Sequence, residues 1–409
     1  MPHLNDKQHL PACTTRRKVL AAGIAGLAGT TLIKQHDALA ANSENVSPPS
    51  VISTPARVWG PQAPVPFTPD PDVISYDPSF NKVISWNAPL EQAWRGNVSW
   101  LEGPAWSVEG RFLLVSDVTG SSQYRYAEDT HAMSVFRKES YHSNGNTFDN
   151  EGRLLTCEHG LRRVIRWEHN GTCTVLADKY QGKRLNSPND IVVDKDGGIW
   201  FTDPDYGDRL WEGHPNEPGV NAPTPDNLTW NLGTELSTEL GGAYGQQAHV
   251  FYINPETREL TAVLTENQLA GPNGLCFSPD YKTLYIASSA DKAAHPGGGG
   301  FRNIYAFDVT GNKLTNQRTF ASMTLNGEKL MPDGIKADVM GNIWVGASGS
   351  LGLCGVIIYN PAGKMIGRLR MPRTISNLTF GGPERNRLFM TARDSIFTLD
   401  VATQGAGLS

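Results

Sequence analysis

From Trp100 onward one pattern of polar and apolar positions recurs. A polar residue leads a short apolar strand, a turn with Asp, Asn or Gly follows, and a second apolar strand closes the unit. The copies read EGPAWSVEGRFLLVSD from Glu102, NGNTFDNEGRLLTCEH from Asn144 and NDIVVDKDGGIWFTD from Asn189. They continue as NGLCFSPDYKTLYIAS from Asn273, DGIKADVMGNIWVGAS from Asp333 and SNLTFGGPERNRLFMTA from Ser376. Short strands repeating every 40 to 60 residues mean blades rather than helical solenoid units. The leaders are spaced by 42, 45, 84, 60 and 43 residues. The long gap contains an insertion over about 209–247, rich in Pro, Asn and Gly, so no blade is missing. The pattern therefore predicts an all-β, six-bladed β-propeller, in which radial repetition leaves no long free sheet edge. A β-sandwich would not produce six copies in one register.

In a propeller the first strand of each blade lines the central channel. The residue entering that strand in every copy then lies on one ring around the axis. That ring comprises Glu102, Asn144, Asn189, Asn273, Asp333 and Ser376. One Asn-Gly or Asp-Gly pair is an ordinary turn signal. Six side-chain oxygens at one register instead predict a site at the channel mouth. Two carboxylates so close resist joint ionisation unless a cation lies between them. Hard oxygen donors of this kind suit Ca²⁺ best, with Mg²⁺, Mn²⁺ or Zn²⁺ as alternatives.

The composition adds limits. The 409 residues carry 42 Gly and 27 Pro, which favours turns and short strands. With a formal charge of −5 and no basic run, a nucleic-acid partner is not expected. Thr15-Arg16-Arg17-Lys18, an uncharged stretch to Ile33 and Ala38-Leu39-Ala40 match a twin-arginine signal over residues 1–40. The expectation is export by the twin-arginine machinery to the periplasm, without a membrane anchor, as a mature chain of charge −8. Residues 41–82, rich in proline, read as a linker or N-terminal arm, and 83–409 as the propeller domain. Cys157, Cys173, Cys276 and Cys354 show no CxxC spacing, so thiolate zinc sites are unsupported. Asp203 and Asp205, in FTDPDYG, read as turn residues, with hydrogen-bond acceptors behind the site as the alternative. Trp211, Trp230 and Tyr244 suggest that the insertion serves as an aromatic lid over the mouth.

Four motifs carry a resemblance. Glu102-Gly103-Pro104, SPND (Ser187–Asp190), GPNG (Gly271–Gly274) and PDG (Pro332–Gly334) resemble the senescence-marker-protein/gluconolactonase family over roughly residues 85–400. NGNTFDNEGRLLTCEHGLRRV is similar to its bacterial gluconolactonase branch. The resemblance implies a six-bladed propeller with one divalent cation on the axis, held by Glu102, Asn189, Asn273 and Asp333. It also implies Asp333 as general base. His159, in the second strand of the Asn144 blade, reads either as an alternative base, since imidazole titrates near neutrality, or as an ordinary structural histidine. Asn144 and Asn189 would contact substrate. Some animal members carry Arg where this chain has Ser187, so their sugar contacts do not transfer. The implied enzyme is a gluconolactonase-like carboxylic ester hydrolase acting on a small sugar lactone, most simply glucono-1,5-lactone. A broader lactonase, aryl esterase or phosphotriesterase, and a non-catalytic calcium-bound binding module, are the alternatives.

Overall fold

The computed structural model describes residues 47–204, 206, 246–290 and 302–407. From Pro48 onward they belong to one unit. Each repeat folds as an antiparallel sheet, and six such sheets form a β-propeller; the described residues contain no α-helix. The inner strands, blade I to blade VI, are Leu101–Ser107, Ser143–Phe148, Ile191–Val193, Pro272–Phe277, Met331–Ala337 and Asn377–Gly381. Each packs on the inner strands of its neighbours, and the last returns to the first. That packing explains their residue pattern: the inner strand of blade I is buried along its whole length, whereas its outermost strand, Ala132–Lys138, is largely exposed.

The turns between first and second strands have a local cause. In blade III the Asp194 carboxylate accepts the amides of Asp196 and Gly198 and the Trp200 indole N–H. In blade V Asp338 does the same for Met340, Asn342 and Trp344. One Asp thus closes the turn and fixes the buried Trp of the next strand, which is why D-x-x-G-x-I-W recurs. Aromatic pairs then join blades: Trp106 stacks on Phe389 at 5.7 Å, and Trp200 meets Phe277 edge-on at 5.8 Å.

The segment preceding the repeats completes two blades. Glu91–Arg95 supplies the outer strand of blade VI by pairing with Ser395–Asp400, so early and late chain share one sheet. Val73–Ser75 adds a fifth strand to blade V beside Met365–Arg370. Between them, Phe80, Val83, Ile84 and Leu90 enter the core shared by blades V and VI. Two buried carboxylates fasten this arm. Asp70 accepts the Leu90 amide at 2.9 Å and pairs with Arg57 at 2.7 Å. Asp72 accepts the Val51 amide at 3.0 Å and pairs with Arg370 at 2.9 Å. Burial pushes the Asp72 carboxyl up, and the Val51 amide and Arg370 pull against that shift. Cys157, Cys276 and Cys354 are buried free thiols, while Cys173 is exposed.

Replacing Asp72 by Ala strands the Arg370 guanidinium against a buried wall. Removing one partner of a buried pair costs about 3–5 kcal/mol. The urea midpoint of Asp72→Ala is therefore expected to fall well below that of the parent; an unchanged midpoint would show that the arm does not stabilise the propeller.

Candidate active site at the axial ring

The leaders sit where the inner strands begin. In blades I, II, IV and V the register shifts at the leader or directly after it, between Glu102 and Ala105, Ser143 and Asn146, Pro272 and Leu275, and Pro332 and Ile335. Such bulges re-aim one side chain out of the regular ladder. In the same four blades the next residue is Gly103, Gly145, Gly274 or Gly334. A Cβ on Gly103 would overlap the Asn144 carbonyl, and one on Gly145 the Asn189 carbonyl. On Gly274 it would overlap the Asp333 carbonyl, and on Gly334 the side chain of Asn377. The glycines therefore let each leader's backbone lie against the next, in the order Glu102, Asn144, Asn189, and then Asn273, Asp333, Ser376. Ser376 closes the ring, its Oγ donating to the Leu101 carbonyl at 2.7 Å. That hydroxyl, expected at the mouth, is committed to the backbone of blade I.

All six leaders are buried. Asn377, at the position where four blades have glycine, donates from Nδ2 to Glu102 Oε2 at 3.2 Å; Gly103 N donates to the same oxygen at 2.9 Å. Asn273 donates from Nδ2 to Ser289 Oγ at 3.0 Å, and that hydroxyl donates to the Pro332 carbonyl at 2.6 Å, next to Asp333. With the amide nitrogen engaged, Asn273 presents its oxygen on the other side. Asn144 rests on Asn146, which donates to the carbonyls of Asn144 and Gly103 and accepts from Gln123 and Thr156. Asn377, Ser289 and Asn146 were not singled out from the sequence. Asn377 had a visible signal, an amide where four other copies carry glycine.

His159 lies against the ring, its Nε2 3.4 Å from Asn144 Nδ2. It differs from the near-neutral imidazole expected of the sequence. Complete burial depresses its pKa to about 3, with nearby His142 pushing the same way and a hydrogen bond to Pro188 opposing. Asp203 differs too. It ends the second strand of blade III rather than forming a turn, and burial raises its carboxyl to about 7 against the Asn186 amide and Arg162. The expected insertion lid and Asp205 fall outside the described residues, apart from Gln246 and Gln247 at the insertion's end.

The comparisons bear on this ring. The SMP-30/Gluconolactonase/LRE-like region model matches residues 100–394. The chain belongs to that family. Within this gluconolactonase-like hydrolase family it is 27% identical over 358 residues to the gluconolactonase of Zymomonas mobilis, spanning 81% of this chain and 87% of that one. It is 29% identical to a lactonohydrolase, oryL, of Aspergillus oryzae, over 58% of this chain and 49% of the relative. The solved gluconolactonase of Xanthomonas campestris superposes with a TM-score of 0.65 at 30% identity, covering 85% of this chain and 99% of its own.

Among the described residues no three His, Cys, Asp or Glu side chains gather as a metal-binding group. A divalent cation on this ring would instead draw on the two carboxylates, Glu102 and Asp333, and the amide oxygens of Asn189 and Asn273. That all-oxygen set fits a hard cation. Groups that orient a ligand typically account for 10- to 100-fold of metal affinity. Asn377→Ala is therefore expected to weaken Ca²⁺ binding by about one order of magnitude in calorimetric titration. An unchanged isotherm would remove Asn377 from the support of Glu102.

Proposed function

We propose that the protein is a cation-dependent lactonase that opens a sugar lactone, most simply glucono-1,5-lactone, to its hydroxy acid. The observation that carries this is the ring itself: two carboxylates and three amides buried at one level of a propeller whose family includes gluconolactonases. Ca²⁺ is the cation best matched to these donors, with Mg²⁺, Mn²⁺ or Zn²⁺ as alternatives. When bound, it would polarise the lactone carbonyl and stabilise the developing negative charge.

The protein's own groups supply the rest. Asp333 accepts the proton of the attacking water, the water oxygen bonds to the carbonyl carbon, and the ring C–O bond breaks. The ring oxygen leaves as a hydroxyl after taking up that proton. Asn144 and Asn189 hold the lactone by its polar oxygens. We assign His159 a supporting role, because a buried, neutral imidazole 3.4 Å from Nδ2 holds the Asn144 amide in place. The buried setting excludes bulk water, so each of these hydrogen bonds is stronger than on an open surface. Export through the twin-arginine route would place the enzyme in the periplasm, where oxidation of sugars yields lactones.

The pH–rate profile separates the two candidate bases. Asp333→Asn is expected to lower kcat by at least about 100-fold, the usual scale of a general base. The parent profile should show no step near pH 6.5 that depends on His159, because His159 does not titrate there. Full activity in Asp333→Asn, or a limb near 6.5 abolished by His159→Gln, would overturn the assignment.

A further inference from the structure

One step of the ring is joined differently from the others. Four steps rest on a glycine lying against the next blade, and the step from Ser376 to Glu102 on the Asn377 amide. Between Asn189 and Asn273 the corresponding residue is Asp190, whose Oδ1 turns back to accept the Ile191 amide at 3.0 Å. The link here comes from the end of the second strand of blade III. The Thr202 carbonyl accepts the Asn189 amide at 2.8 Å. Asp203 Oδ2 accepts the Asn186 amide at 2.8 Å, and the Pro204 carbonyl accepts Ser187 Oγ at 2.7 Å. From the opposite side, Arg162 Nε donates to the carbonyls of Leu185 and Asn186. The SPND loop is thereby clamped up to Asn189.

The same strand end also reaches the next loop. Tyr206 donates its hydroxyl to the Gly271 carbonyl at 2.9 Å, two residues before Asn273. That carbonyl also accepts the Ser289 amide at 2.9 Å, and Ser289 Oγ in turn holds the Asn273 amide. Hydrogen bonds therefore tie residues 202–204 to the loop that carries Asn189, and Tyr206, two residues beyond Pro204, to the loop that carries Asn273.

We propose that Thr202–Pro204 and Tyr206 form a brace that sets the separation of Asn189 and Asn273, with Tyr206 as the positioning residue for Asn273. Tyr206 acts through the Gly271 carbonyl and does not itself touch substrate. The functional consequence rests on the cation-site reading above; the brace itself does not.

The test is Tyr206→Phe, which removes only the hydroxyl, beside Ser187→Ala at the other end. Amide exchange is read on the cation-free full chain, followed by Ca²⁺ titration and turnover against cation concentration. In Tyr206→Phe, a peptide spanning 270–277 is expected to exchange about 2- to 10-fold faster, the scale of one lost hydrogen bond. Its Ca²⁺ Kd should rise by a similar factor, and saturating cation should restore kcat, whereas general unfolding would not be rescued. Ser187→Ala should show the faster exchange over 186–191 instead. Unchanged exchange at 270–277 with an unchanged Kd would overturn the brace. A parent protein without cation-dependent turnover would overturn the functional reading alone, because exchange in the cation-free protein decides the brace by itself.

Discussion

Inner strands from six sheets surround one narrow axis here because, at four of six steps, their backbones approach more closely than a Cβ permits. Gly103, Gly145, Gly274 and Gly334 meet that condition at one level of the channel, each against the neighbouring blade. Much else follows from this contact. A glycine after the leader loosens the ladder, the strand bulges, and the leader's side chain leaves the regular alternation. The steric requirement for closing the propeller and the polar ring at its mouth thus share one cause.

The two blades without that glycine show the constraint by exception. Asp190 and Asn377 both turn an oxygen onto the following amide, and each step of the ring is then secured by other means. Asn377 reaches Glu102 directly, while Thr202–Pro204 hold the Asn189 loop and Tyr206 reaches the Asn273 loop. Buried polar groups are stable in a channel only when such partners are supplied. The ring is accordingly backed by a layer of amides, hydroxyls and carbonyls belonging to neighbouring blades.

Much of this was legible in the sequence. Six in-register copies specify the propeller, because a repeat of short strands cannot bury its apolar faces alone. The leaders were equally visible, since each copy opens on an oxygen-bearing side chain. What supports them was not. Ser289 and Tyr206 lie outside the repeated segments and act on carbonyls that any sequence possesses. Asp203 sits beside Pro204 in a segment rich in turn formers, which hides its place at the end of a buried strand. The His159 titration was misjudged for a similar reason: burial, invisible in CEHG, moves an imidazole further than its neighbours do. Ser376 kept its place on the ring, but its hydroxyl serves the adjoining backbone.

The most direct test of the central claim is proton release from glucono-1,5-lactone at neutral pH. It would be measured on the purified protein, after EDTA treatment, and again after Ca²⁺, Mg²⁺, Mn²⁺ or Zn²⁺ is restored, against spontaneous hydrolysis. The account predicts turnover that EDTA abolishes and a divalent cation restores, Ca²⁺ foremost. Turnover indifferent to EDTA, in protein shown to be stripped of metal, would contradict it.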